Sequence, residues 1–286
     1  MRLSLERLKR VGYGAFAPLV MAALQKKSTS FDLHEFLLAA ERFVFIVSRL
    51  CARRSDTGDS EFYRLAGELH RDERTLTEVT NIVMERTKEH FSIEKAQVEM
   101  RDLFDGDEGF YGWSGLNYFL FEYEQQLKVD AGMQAAKMNW DEFTTSKRDH
   151  VTVEHIYPRL PVFGNWPSFE AQPPEKRAIL QSSLGNLLAL SQSKNSRLSN
   201  RPFSSKKQNT NGVRGYFNGS YSEIEVSKET AWTPEAVLER GLKMLDFLEH
   251  RWDVSLGIRH DKLKLLNLEF MDQVPAAVTP DPAIGG

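Results

Sequence analysis

The sequence predicts a mainly α protein in which a helical first half leads into a short unit of two strands and a helix, followed by further helices. Three observations carry this reading. Apolar residues recur at helical spacing through residues 3–127, short runs at 151–153 and 187–190 suit strands, and Thr233-Pro234-Glu235 opens a long amphipathic helix. The expected division is a helical domain over residues 1–140, a second domain over 141–272 and a flexible tail over 273–286.

In the first half, Phe36, Ala40, Phe43, Val47 and Leu50 form one helical stripe that Leu37 and Val44 widen. Ser30, ahead of Phe31-Asp32-Leu33, is the expected N-cap of this helix. Trp113, Leu116, Phe119, Leu120 and Tyr123 mark a further helix whose aromatic face belongs in a core rather than around a cofactor. Asp102, Asp105, Asp107 and Glu108, with Gly106 and Gly109, lack the full acid frame of a calcium loop, so a solvated turn is expected. His34, His70 and His90 have no partner at ligand spacing and read as surface or cap residues.

Residues 137–150 are polar, mixed in charge and serve as the connection. The β-branched run Val151-Thr152-Val153 then predicts a strand. Five prolines (Pro158, Pro161, Pro167, Pro173 and Pro174) impose an irregular excursion before the second run, Leu187-Leu188-Ala189-Leu190. Ser191 is placed to cap a short helix carrying Lys194, Asn195 and Leu198. Thr233-Pro234-Glu235 supplies a capping hydroxyl, a first-turn proline and an early acid for a helix with Leu238, Leu242, Leu245, Leu248 and Trp252 on one stripe. Pro275, Pro280 and Pro282 set the loose character of the tail.

Composition narrows the function classes. With 286 residues, 41% apolar and 27% charged, the chain can bury a substantial core. A net charge of −3 excludes a protein that coats nucleic acid over its whole surface, so any such contact is local. Cys51 is the only cysteine, which excludes an internal disulfide and a paired C-x-x-C zinc site. The N-terminus carries no signal-peptide pattern, and no apolar stretch is long enough to span a membrane. A cytoplasmic setting is expected.

The chemistry concentrates between His150 and Lys207. Hydrolysing a phosphodiester with water needs a base for the water and a cation for the charge growing on phosphate and leaving oxygen. His155 has the titration range of a base at neutral pH. Glu154 and the side-chain carbonyl of Asn195 are hard oxygen donors suited to Mg²⁺ or Mn²⁺. Adjacent strand residues project to opposite faces, so Glu154 can turn to a metal while His155 faces the attacking water. Asn186, at the entrance to the second strand, is placed either to tie down the loop or to hold the imidazole. Around these, Lys194, Arg197, Arg201, Lys206, Lys207 and Arg214 form a basic run that no acid interrupts, an expected phosphate-facing patch.

Val153-Glu154-His155-Ile156-Tyr157-Pro158, Gly185-Asn186-Leu187 and Ser193-Lys194-Asn195-Ser196 together resemble the HNH, or ββα-metal, nucleases, including the HNH domain of RNA-guided CRISPR nucleases. The resemblance implies Glu154 and Asn195 as metal ligands, His155 as general base and Asn186 as the middle motif residue. A closer similarity is to the HNH-like domain that ends GmrSD-type, modification-dependent restriction enzymes and related anti-phage nucleases. It rests on the E-H-I-x-P opening, L-G-N-L, Lys194-Asn195, Ser199-Asn200-Arg201-Pro202-Phe203, and Ala231-Trp232-Thr233-Pro234 running through to Arg240.

The sequence departs from that pattern at Arg159, where glutamine is common, and at Asn195, where many HNH proteins carry histidine. The second change favours an oxygen-liking metal over zinc. The resemblance implies a metal-dependent DNA endonuclease or nickase in phage defence. It also implies a nucleotide-binding recognition domain or subunit outside this chain, which would make the chain a C-terminal fragment or one half of a split system. A non-cleaving DNA- or partner-binding module on a degenerate HNH fold, or an RNase of the same fold, would share these residues.

Overall fold

The computed structural model describes residues 2–26, 28–54, 56–144, 150–209 and 212–272. The expected tail over 273–286 lies outside them. The architecture is mainly α. The first half contains α1 (Arg2–Val11), α2 (Ala17–Gln25), α3 (Ser30–Phe43), α4 (Asp59–His70), α5 (Leu76–His90), α6 (Ile93–Asp105), α7 (Leu116–Asp130) and the single turn α8 (Asp141–Thr144). Helix α3 runs on into a π-helical stretch, Val44–Leu50, whose widened turn leaves the Arg49 carbonyl to accept from Trp113 Nε1 at 2.6 Å. The cap of α3 is Thr29, one residue before Ser30: its extended backbone lets the hydroxyl accept from the Asp32 amide. The acidic turn after α6 is exposed.

The second half holds β1 (Val151–His155), α9 (Pro167–Glu170), α10 (Pro174–Ser182), β2 (Leu187–Ser191), α11 (Gln192–Leu198), α12 (Phe203–Lys207), α13 (Tyr221–Ser227), α14 (Pro234–Trp252) and α15 (Arg259–Leu266). The strands pair antiparallel, with Glu154 opposite Leu188 and His155 opposite Leu187. Helix α11 packs on both strands from one side, while α7 and α13 reach β2. Covered in this way, β2 buries Leu187, Leu188 and Leu190 completely, so its sequence is a continuous apolar run rather than an alternating one.

One apolar cluster includes residues from both sides of position 140, from Leu8 to Leu268. Its centre is Trp252, the last residue of α14, which stacks on Phe45 at 3.8 Å between ring centroids. Beside it a buried charge cluster ties α14 to three helices of the first half. Arg251 meets Glu41 at 3.3 Å and Glu122 at 3.1 Å, Tyr118 and Trp252 donate to Glu41, and Arg7 pairs with Glu122. These pairings offset the cost of burying two carboxylates, although Glu122 Oε1 has only the Arg10 guanidinium at 4.0 Å opposite it.

Helix α7 also reaches directly into the second half. Glu124 is buried and accepts from the backbone amides of Tyr221 at 2.9 Å and Ser222 at 2.7 Å, the first two amides of α13. Ser220 and Glu223 complete that helix start with a capping box.

Candidate active site

His155 ends β1 and is 9% exposed. The ring lies 4.8 Å from that of Tyr111, which sits in a 3-10 turn, Gly109–Gly112, of the first half. Its Nε2 has no hydrogen-bond partner among the described residues. Burial, helped by the nearby Arg159 and Lys206 charges, pushes the imidazole pKa down to about 4, so it is neutral at physiological pH. An unpaired buried nitrogen costs about 1–3 kcal/mol unless a water or a ligand meets it.

Glu154, the preceding residue of β1, is buried. Its Oε1 accepts from Lys206 Nζ at 2.5 Å and from the Tyr216 hydroxyl at 3.3 Å, leaving Oε2 without a hydrogen bond among the described residues. Burial pushes the carboxyl up and the Lys206 ammonium down, while their mutual attraction opposes both shifts. Lys206 Nζ also donates to the carbonyls of His155 at 3.2 Å and Ile156 at 3.1 Å, so an ammonium here has an acceptor for each of its three protons.

Asn195, on α11, donates from Nδ2 to Thr152 Oγ1 at 2.9 Å. The Thr152 hydroxyl spends its single proton on the Leu190 carbonyl, so it can only accept from Asn195. The amide is therefore fixed with Oδ1 turned away from the sheet. Glu154, His155, Arg159, Asn195 and Ser199 line one cleft of about 380 Å³. Ser199 holds φ at +45°, a conformation an L-residue adopts at a cost of about 1–3 kcal/mol and one found often at functional sites.

Asn186 is fully buried and uses its whole amide. Oδ1 accepts from the Tyr157 amide at 2.8 Å and Trp232 Nε1 at 3.0 Å, while Nδ2 donates to the carbonyls of Tyr157 and Gln181, both at 2.9 Å. It ties down the loop after β1 and makes no contact with the imidazole. The residues around it account for the rest of the motif. Arg240 Nη1 donates to the carbonyls of Gly185 and Leu187 at 2.8 Å each. Phe203 packs on Trp232. Gly185 lies so close to α14 that a Cβ there would fall 1.9 Å from the Val237 carbonyl oxygen. The tryptophan, arginine, glycine and phenylalanine accompany the Glu-His pair because they hold its loop in place.

The basic run does not form one patch. Lys206, at 0% exposure, is withdrawn from solvent and cannot meet a phosphate, because α12 turns it inward onto Glu154. Lys194 pairs with Glu223, and Lys207 donates to the Glu229 carbonyl. Arg197 and Arg214 are exposed and line a separate cleft of about 600 Å³ with Lys194. Arg201 is half-buried. Ser191 holds the cap position of α11, but its hydroxyl lies near Ser193 Oγ and makes no cap bond.

Two residues of the site carry no motif signal. Tyr111 precedes His155 by 44 positions, and Tyr216 follows Glu154 by 62. Both reach the site through long-range packing.

Among the described residues no three His, Cys, Asp or Glu side chains gather to hold a metal, and no helix is long and apolar enough to cross a membrane. The two oxygen donors at the cleft still fit a hard divalent cation. Magnesium commonly takes one or two protein oxygens and fills the remaining positions with water and substrate phosphate. Glu154 Oε2 and Asn195 Oδ1 are the atoms of this cleft that could hold one.

The family model for GmrSD restriction endonucleases, C-terminal domain, matches residues 94–247, more than half of the chain. The chain belongs to that family. No match was found among curated proteins or among solved structures.

Proposed function

We propose that this chain is a divalent-metal-dependent DNA endonuclease or nickase of the HNH (ββα-metal) kind. In this reading it is the cutting part of an anti-phage restriction system in the cytoplasm, and a nucleotide-binding recognition domain or subunit selects the target. The observation that carries it is a neutral, unpaired imidazole in the same cleft as two unengaged oxygen donors, at the end of a hairpin that leads directly into a helix.

His155 takes a proton from the attacking water, and the resulting hydroxide displaces one oxygen of the phosphodiester. Its depressed pKa keeps the imidazole able to accept that proton well below neutral pH. Glu154 and Asn195 would hold Mg²⁺ or Mn²⁺, which supplies charge stabilisation to the phosphate and leaving oxygen. Asn186 and Lys206 are positioning residues, one fixing the loop and the other the carboxylate. Arg197, Arg201 and Arg214 remain available to the phosphate backbone, whereas Lys194 and Lys207 are already held by protein partners.

The chain should convert supercoiled plasmid to nicked or linear forms with Mg²⁺ or Mn²⁺, and EDTA should stop it. Filter retention of DNA with no cutting in any divalent metal would replace this reading by the non-cleaving module. Preferential loss of a competing RNA would replace it by the RNase.

Tyr111→Ala should lower the cleavage rate by up to roughly tenfold, the equivalent of an aromatic contact of about 0.5–1.5 kcal/mol. Removing the ring admits water to His155 and raises its pKa. The acid limb of the rate profile should therefore move to higher pH, which rate measurements across pH 4–8 would read. An unmoved profile would mean that Tyr111 does not control the imidazole.

A further inference from the structure

The loop between β1 and α9 leaves the cleft at Pro158 and Arg159 and returns at Trp166. Its inner side is a small aromatic core in which Tyr157 stacks on Phe169 at 3.9 Å, with Trp166 against both. Gln181 Nε2 donates to the carbonyls of Pro158 and Arg159. The outer side is a tight turn closed by the Asn165 amide on the Val162 carbonyl, with Gly164 at φ +85°. Glu170 accepts from the amides of Gly164 and Trp166 and locks the turn at its base.

On this fixed turn the apolar side chains point outward. Leu160 is 77% exposed, Val162 55% and Phe163 90%. Exposed apolar residues scattered singly need no explanation, but three within four positions on a doubly anchored turn beside a cleft do.

The geometry points to a wedge: we propose that Leu160 and Phe163 insert between base pairs of a duplex seated in the cleft, unstacking a step close to the scissile phosphate. This rests on the nuclease reading above. Reach supports it, because five residues from the cleft wall at Pro158 to Phe163 span at most about 18 Å. That is about five base-pair steps along the duplex. Chemistry supports it too: the exposed Arg159 guanidinium at the root of the loop suits a phosphate, while an apolar tip suits the space between bases. The size of the patch also decides against a docked protein. A stable protein interface needs roughly 800 Å² per partner, more than three side chains offer, whereas one or two apolar residues suffice for a base step.

The test uses the whole chain and duplexes with 2-aminopurine at successive positions, titrated without divalent metal so that nothing is cut. Wild type should raise the fluorescence several-fold at one or two adjacent positions. Leu160→Ser/Phe163→Ser should bind the same duplexes within about threefold, as exposed side chains away from phosphates predict, yet leave the signal flat. The same variant should cut a duplex carrying a one-base bulge, already unstacked, better than the fully paired one. Phe163→Trp should behave as wild type.

A wild-type signal that the double variant retains would overturn the wedge. So would wild-type binding with no signal at any position, whether the tip instead makes the chain adhere to phosphatidylcholine/phosphatidylglycerol vesicles or to a second copy in size-exclusion chromatography. Failure of the nuclease reading looks different: the fluorescence would depend on Phe163 while plasmid stays intact in every metal.

Discussion

His155→Ala should abolish plasmid cutting while leaving DNA retention intact. General-base catalysis contributes about 10²–10⁴-fold, so the residual rate should fall by at least that lower figure and sit near the detection limit. The fold should survive, because the substitution removes a buried ring whose Nε2 satisfies nothing. A circular-dichroism melt close to wild type, alongside lost cutting, is the expected pair of results. Unchanged cutting by the pure variant would remove His155 from the mechanism.

The same imidazole makes a separate prediction for stability without metal. Its pKa is about 4 when folded and near 6.5 when unfolded, so between those values the unfolded chain binds the extra proton. Stability contributed by His155 is therefore fully present above pH 6.5 and lost as pH falls toward 4. Compared with His155→Gln, which cannot titrate, wild type should lose the more stability over that window in denaturant titrations. Parallel curves for the two proteins would show an imidazole that is not shielded from protonation.

Lys206→Met should destabilise the chain by about 3–5 kcal/mol, the usual consequence of leaving one member of a buried ion pair alone. A shift of about 2–4 °C per kcal/mol for a domain of this size makes that a drop of roughly 10 °C in melting temperature. Glu154→Gln combined with Lys206→Met should recover most of it, since the pair is then replaced by neutral groups of similar volume. Lys206→Arg should not rescue, because a planar guanidinium does not fit a fully buried ammonium site. Isothermal titration with Mn²⁺ separates position from folding: at a temperature where Lys206→Met is still native, binding should weaken because Oε1 and Oε2 are no longer distinguished. A Lys206→Met protein with wild-type melting and wild-type Mn²⁺ affinity would show that the buried pair does neither job.

Much of the fold is legible from local pattern. The helical stripes of α3 and α14, the β-branched start of β1 and the Thr233 cap each depend on neighbours within a few positions. Glu154, His155 and Asn195 line one cleft, but with residues 156–186 between the two strands it is the family resemblance, not local spacing, that points to their meeting. What local pattern cannot show is the destination of a charge. Lys206 and Arg214 belong to one basic run, yet Lys206 is sealed against an acid 52 residues away while Arg214 is exposed. On the same short helix as Lys206, Phe203 packs on Trp232, a contact between residues 29 positions apart that no local pattern announces. Asn186 shows the same limit, since its position gives the choice between loop and imidazole and only its four hydrogen bonds give the answer.

Helix α7 supports the strand pair from the first half of the chain. Through Glu124 it supplies the first amides of α13 with their acceptor, and the turn just before it brings Tyr111 over the imidazole. A chimaera that grafted residues 150–272 onto a foreign scaffold would leave those amides bare and the His155 ring open to water. The strand pair is thus no portable cassette: moving it has to carry α7 along, and the family match over residues 94–247 includes that helix.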